Sequence, residues 1–468
     1  MSQDSNPPDD SSEDRDDDLP REHFGSGSHT SSSQSTSRGS PRVGRPAGDE
    51  TSPDPKKRPL GPWRKAGIGA LALAVVGGGL FFFVIPQYVD RSKNGLYPLT
   101  TENIHLPVPP LHKDLFVADL HADTLLWNRD ILKESHFGHW DVPRMVKGNG
   151  ALQTLSVVTK SPKGQNYERN SGDTDALTTL MVAQRWPVAT WSSLKQRAFH
   201  QSQKVKEAVV AAEGQLIWIQ KKQDLEELRL ARAEDSSVVG VWLSLEGSQA
   251  LEDSLDAIDE FQSWGYRMMA PTHFFDTAWA GSRHGEGKGG LTEKGREWLR
   301  RLEEKSIIID GAHASEATLR DLLKYATKPF LISHGGVKAV CDNNRNLSDE
   351  MLKAVAQKGG LIGVGFWSDA TCGKSVASVV NSITYLVKLI GADSVALGSD
   401  FDGYVSSPID AADLGQITAQ LQKVGVPEPT IRKVMGENVY QFLLKHLPSE
   451  PAGVTDETEL LESEDAGN

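Results

Sequence analysis

Cysteine is nearly absent from this chain, with two residues in 468, which excludes a disulfide-scaffolded fold and any structural zinc site made of four thiolates. Positive charge is also short. A formal net charge of -13 rules against a broad basic surface that would neutralise phosphates, so no nucleic-acid partner is expected. The zinc-protease signature HExxH is missing, and there is no solenoid-type repeat. The segment GSRHGEGKGG at 281–290 has the wrong glycine spacing for a phosphate loop and no Ser or Thr after Lys288. Hydrophobic content of 38% with 24% charged residues is low for an enzyme, but it averages polar ends over an apolar interior.

Residues 1–65 are rich in Ser, Pro, Gly, Asp and Arg and carry almost no large apolar side chains, so they are expected to be a disordered tail. The tail turns from acidic (Asp9, Asp10, Asp16 to Asp18) to basic (Lys56, Lys57, Arg58, Arg64, Lys65) just before the most apolar run of the sequence. No charge interrupts Ala66 to Val89, long enough to cross a hydrocarbon core of roughly 30 Å with about 20 helical residues. Basic residues before this run place the tail in the cytoplasm and the rest outside, as a single-pass membrane protein. A buried helix of a soluble protein is the competing reading. Residues 90–112 read as a Pro-rich spacer, 113–447 as the catalytic domain and 448–468 as an acidic disordered tail.

Between the ends, apolar runs of strand length alternate with amphipathic stretches, the pattern of βα units on a parallel sheet. The candidate strands are 115–120, 151–158, 238–245, 266–272, 306–310, 329–333, 360–366 and 394–398. Eight of them predict an α/β fold of the (β/α)8 TIM-barrel type. In such a barrel chemistry gathers at the C-terminal strand ends. Those ends carry a polar series: His121 and Asp123, Glu246, His273, His313, His334 and Asp400. Three imidazoles and two carboxylates from His121, Asp123, Glu246, His313 and His334 suit a binuclear zinc site, because zinc accepts nitrogen and oxygen and a carboxylate can bridge two ions. Taken singly, each of these histidines is more often a hydrogen-bonded strand-end residue, and Glu246 could merely cap a helix. The joint pattern favours ligands. His136 and His139 in HFGHW read as loop or supporting residues, and NLS at 346–348 is a formal glycosylation sequon.

The strings HADTLLW (121–127), SLEGSQAL (244–251), THFFDTAWAGS (272–282), GLTEKGREW (290–298), IDGAHAS (309–315), SHGGV (333–337), NNRNLSDE (343–350) and GSDFDG (398–403) resemble the membrane dipeptidase (renal dipeptidase) family of zinc peptidases. The resemblance runs from about residue 112 to about 447. It departs from the family pattern where DGAH and SHGG replace the more usual DxSH and SHSS, which bears on substrate preference more than on metal binding.

The resemblance implies two zinc ions per chain, one on His121 and Asp123, the other on His313 and His334, with Glu246 bridging. It implies hydrolysis of dipeptides by a hydroxide shared between the metals, with His273 as donor to the oxyanion and Asp400 as general base and then acid. Asp402 competes for the last role, and the strand-end position favours Asp400. Arg345 would hold the C-terminal carboxylate with its guanidinium fork; a surface ion pair with Asp342 or Asp349 is the alternative. The partners implied are short peptides and a membrane through residues 66–89, with a homodimer left open. A related hydrolase of another small amide, lactam or lactone, and a noncatalytic surface protein, remain rival readings. Cys341 and Cys372 lie on neighbouring loops of the same face, where an extracytoplasmic setting permits a disulfide or two free thiols.

Overall fold

The computed structural model describes residues 61–101 and 103–449. The tails expected over 1–65 and 448–468 lie outside these residues, save for 61–65 and 448–449. Among the described residues there are nine strands: β1 (Val117–Ala122), β2 (Gly150–Val158), β3 (Leu216–Trp218), β4 (Val239–Glu246), β5 (Tyr266–Met269), β6 (Ile308–Ile309), β7 (Ile332–Gly335), β8 (Ile362–Val364) and β9 (Val395–Leu397). Each of the eight sequence-assigned runs overlaps one of them. The short β3, which pairs with β4, has too few residues to show periodicity.

The strands pair in parallel in the order β6-β5-β4-β2-β1-β9-β8-β7. The two ends of this path meet at a parallel bridge between Asp310 and Leu331, with Gly311 and Leu331 donating to the carbonyls of Leu331 and Ile309. The result is a parallel α/β sheet consistent with a TIM-like barrel. β1, β2 and β4 are buried along their whole length, as strands covered on both faces must be, which explains their near-continuous apolar runs. Gly363 and Gly398 are required where β8 and β9 pass the Ser333 carbonyl, because a Cβ at either would collide with it.

The covering helices carry their own start signals. Thr292, Ser315 and Ser348 each accept from the backbone N–H three residues on, satisfying one of the donors a helix start leaves over. In Glu293–Glu304 the spacing of Trp298, Leu299 and Leu302 buries one stripe against the sheet.

The apolar run forms one helix of 32 residues, Pro62–Lys93, long and apolar enough to cross a membrane. It begins before the expected Ala66, because proline suits a first helical turn, and ends beyond Val89. Leu80–Val84 form a single π turn in which the Ile85 N–H reaches the Leu80 carbonyl. Pro86 follows at once, and its missing N–H and ring disturb the preceding turn. Residues 90–101 and 103–112 pack on the domain instead of standing as a free spacer: Asp90, Asn94 and His112 are buried. Tyr97 donates to the Ser407 carbonyl, and Tyr404 donates to Asn94 Oδ1.

Candidate active site

The structure brings every strand-end residue named above into one cluster, and all of them but the fully buried His121 line one cleft. His121 lies within β1 and Asp123 just after it; Glu246 ends β4, His334 lies in β7, and His273, His313 and Asp400 follow β5, β6 and β9. His313 and Asp400 hold left-handed backbone, with φ of 61° and 63°. Non-glycine residues are strained there, and such strain gathers at functional sites.

Glu246 is the hub. Its Oε1 lies 3.0 Å from His313 Nε2, 3.5 Å from His334 Nε2 and 3.7 Å from His121 Nε2, while Oε2 lies 3.6 Å from His273 Nε2. His121 Nε2 is also 3.5 Å from Asp123 and 3.9 Å from Asp400. Three ligand-competent groupings result: His121, Glu246 and His334; Glu246, His273 and His313; and His121, Asp123 and Asp400. Glu246 belongs to two of them, as a carboxylate between two ions would.

Several of these atoms are buried without a hydrogen-bond partner: His121 Nε2, Asp123 Oδ1 and Glu246 Oε2. Buried polar atoms are normally paired, and a convergent nitrogen and oxygen donor set with free lone pairs fits a divalent cation. The electrostatics agree. Against full burial, the carboxylates of Glu246 and Asp123 hold the His121 imidazole well above its usual range. Burial pushes Asp400 well above the usual carboxylate range, with Asp123 and Glu246 adding to the shift and His121 opposing it. A cation relieves the same carboxylate repulsion.

Arg345 is buried, at 3% exposure. Its Nη2 donates to the His334 carbonyl at 3.1 Å and stands 3.5 Å from His313 Nε2, and the guanidinium lies 5.4 Å from the Trp367 ring centre. Neither acidic neighbour in sequence takes it: Asp342 pairs with Lys338 and Asp349 accepts from the Tyr385 hydroxyl. Cys341 and Cys372 form a disulfide with Cα atoms 5.1 Å apart, tying the Arg345 loop to the segment after β8. Asn346 is buried, and its amide donates to the carbonyls of Cys341 and Asp369, so the formal sequon is structural.

Asp402 points away from the cluster. It pairs with Arg129 at 2.6 Å, accepts from the Thr124 hydroxyl and from the His139 N–H, and donates its own N–H to His139 Nδ1. His139 is thereby a buried brace and no ligand. Supporting residues that the sequence reading missed include Ser333, whose hydroxyl lies 2.9 Å from His334 Nδ1 and 3.4 Å from His121 Nδ1, orienting both rings with Nε2 toward the centre. Tyr167 was missed as well: it enters from the β2–β3 connection, stacks on Phe274 and accepts from Trp367 Nε1. Only the unusual length of that connection hinted at it.

The cluster floors a cleft of about 660 Å³ reaching from Arg345 and Trp367 to Leu126, Val158 and Leu177. Known proteins share this fold. A metallopeptidase of Rhodobacter sphaeroides, solved with a phosphinate mimic of L-Ala-D-Ala, is 26% identical and superposes with a TM-score of 0.60 over 71% of this chain and 99% of its own. A dipeptidase of peptidase family M19, also 26% identical, gives 0.60 over 72% and 99%. A probable dipeptidase of Pseudomonas aeruginosa, 18% identical, shares the fold with a TM-score of 0.59 over 72% and 96%. Residues 108–446 match the membrane dipeptidase family, peptidase family M19, as a whole, and with this coverage and this cleft the chain belongs to that family and is a metal-dependent peptide-bond hydrolase.

Proposed function

We propose that this chain is a zinc-dependent dipeptidase with a (β/α)8 barrel over residues 113–447, tethered by residues 66–89 with the preceding tail in the cytoplasm and the barrel outside. The observation that carries the dipeptide reading is Arg345. A buried guanidinium with no ion-pair partner among the described residues is costly unless a ligand supplies the anion, and a free C-terminal carboxylate matches its planar fork. The L-Ala-D-Ala mimic on the Rhodobacter sphaeroides relative supports the same substrate class.

In this reading His121 and Asp123 hold one ion, His313 and His334 the other, and Glu246 reaches both. Two zinc ions bound there would supply Lewis acidity, acidifying a water toward a pKa of about 7 and polarising the scissile carbonyl. Arg345 binds the carboxylate and sets the carbonyl over Glu246. The His273 imidazole, 3.6 Å from Glu246, donates an N–H to the oxygen that gains charge as the carbonyl carbon becomes tetrahedral. Asp400 Oδ1 accepts a proton from the attacking water and returns it to the amide nitrogen as the C–N bond breaks, releasing a free amine and a carboxylate. Its raised affinity for protons suits the second half of that task.

The test is metal analysis of the purified full chain combined with a panel of dipeptides, including D-residues at the C-terminal position, beside lactam and lactone substrates. Two zinc ions per chain and turnover of free dipeptides are expected. Turnover of lactams or lactones alone would overturn the assignment.

A further inference from the structure

One wall of the cleft comes from an unexpected element, the last turns of the 32-residue apolar helix. Phe81, Ile85 and Val89 line the same cleft as Glu246, His273 and Asp400. They are spaced four apart and so share one helix face. Beside them the cleft is lined by Leu126, Val158 and Leu177, part of the buried cluster against which Val89 and Leu180 pack. Phe81 and Val89 are partly buried, whereas Ile85, like Phe82, Phe83 and Tyr88 on the other faces, is exposed, at 44%.

The wall is built, not incidental. Asp90, one residue past Val89, pairs with Arg129 at 3.0 Å, and Arg129 pairs with Asp402 at 2.6 Å. Asn94 donates to Asp90 and accepts from the Tyr404 N–H. The helix end is therefore in register with the 402–405 loop that follows Asp400. On the outer side, the Arg185 guanidinium lies 4.4 Å from the Phe83 ring centre.

Length allows this. A helix of 32 residues spans about 48 Å at 1.5 Å per residue, against a hydrocarbon core of roughly 30 Å. Arg64 and Lys65 take up part of the excess on the cytoplasmic side, so about 20 core residues counted from Ala66 end at Ile85. Val89 thus stands clear of the core, Ile85 sits at its edge and Phe81 lies one turn inside it.

Ring position decides which part of a substrate meets this wall. Around the closed path of eight strands β2 is four places from β7. Arg345 follows β7, whereas Val158 ends β2 and Leu177 and Leu180 follow it. A dipeptide with its C-terminal carboxylate on Arg345 and its scissile carbonyl over Glu246 directs its N-terminal residue toward the β2 side. We propose that the end of the tether helix is part of the substrate site, with Phe81, Ile85 and Val89 selecting dipeptides whose N-terminal residue bears a bulky apolar side chain. The proposal rests on the dipeptidase reading and on the tether reading given above.

The experiment uses the full chain in detergent micelles and compares Leu-Gly with Gly-Gly for wild type, Ile85→Ser, Val89→Ser and Ile85→Trp. The serines make the wall polar, and the tryptophan narrows it. Each should lower the ratio of kcat/KM for Leu-Gly over Gly-Gly by about tenfold, the scale of one or two methylene contacts in an apolar pocket, mainly through KM. Arg345→Ala serves as control, raising KM for both dipeptides and leaving the ratio in place. An unchanged ratio in the three wall variants, with a wild type that turns over both dipeptides, overturns this proposal alone. A wild type that turns over neither overturns the dipeptidase reading and this proposal with it.

Discussion

Replacing Arg345 by alanine isolates the step that separates a dipeptidase from an endopeptidase. Arg345 is 3% exposed, its Nη2 donates to the His334 carbonyl and no ion-pair partner stands among the described residues, so the substrate carboxylate would supply the missing anion. Hydrogen bonds to charged groups contribute about 1.5 to 3 kcal/mol each, and removing one partner of a buried charge pair costs about 2 to 5 kcal/mol. Taking about 3 kcal/mol, Arg345→Ala should raise KM for a free dipeptide by roughly 100-fold, at 1.4 kcal/mol per factor of ten. The same peptide with an amidated C-terminus has no carboxylate to lose, and its already high KM should change by less than about threefold. Arg345→Lys keeps the charge but not the planar fork, so it should recover only part of the loss. Steady-state kinetics on the matched pair of substrates checks this. Equal losses on acid and amide would show that Arg345 merely supports the β7 loop, and the carboxylate argument would fall.

His313→Ala and His334→Ala should each empty one metal position and lower the midpoint of thermal unfolding of the zinc-loaded protein; full metal content by elemental analysis in both would refute the ligand assignment. Asp400→Asn should cut kcat by about 100-fold or more with little change in Tm, whereas Asp402→Ala should cost about 3 kcal/mol of stability by leaving buried Arg129 with Asp90 alone and the Thr124 hydroxyl and His139 N–H without their acceptor; calorimetry giving the two variants the same profile would remove the distinction. Reducing Cys341–Cys372, which closes a separation of 31 residues, should remove roughly 3 to 4 kcal/mol of chain-entropy stabilisation and weaken dipeptide binding through the Arg345 loop; mass spectrometry finding both thiols free in protein isolated without reductant would oppose it. Protease added to intact cells should reach the barrel and spare an epitope placed before Lys56, and cleavage of that epitope would reverse the topology.

What could be read in the sequence was whatever is local. A polar residue directly after an apolar run marks a strand end, so His121, Glu246, His313, His334 and Asp400 were legible, and the structure converges them within a few ångströms of one another. The packing of residues 90–101 and 103–112 was not legible, because the bonds that hold it join positions 310 apart, such as Asn94 with Tyr404 and Leu106 with Gln416. Proline-rich composition suggested a spacer, and long-range pairing overrode it. Tyr167 was hidden for the same reason, lying in an insertion that reaches the cleft only after the barrel has formed. Asp400 and Asp402 show the limit most sharply. They are two residues apart in GSDFDG, both buried and both at φ near 62°, yet one faces the histidines and the other an arginine.

That contrast also explains how the fold tolerates its own active site. Asp123, Glu246 and Asp400 crowd one buried volume with four imidazoles, and Asp123 as well as Asp400 is pushed up by burial and by neighbouring carboxylates. Such an arrangement opposes folding, and natural proteins tolerate it only with compensation elsewhere. The compensation lies within a few residues of the reactive groups. Asp119, two residues before His121, accepts from the Ser399 N–H and hydroxyl and from Gln153, locking β9 and β2 to β1. Asp310, three residues before His313, accepts from the Ala312 and Ser333 N–H groups and so joins β6 to β7. Asp402, two residues after Asp400, is satisfied by Arg129, Thr124 and His139. Carboxylates are thus used twice at nearly the same depth: three have their donors supplied by the chain and act as braces, and three are left short of donors so that something from outside must supply them. The shortage of donors, more than acidity or position alone, separates the reactive carboxylates from their structural neighbours.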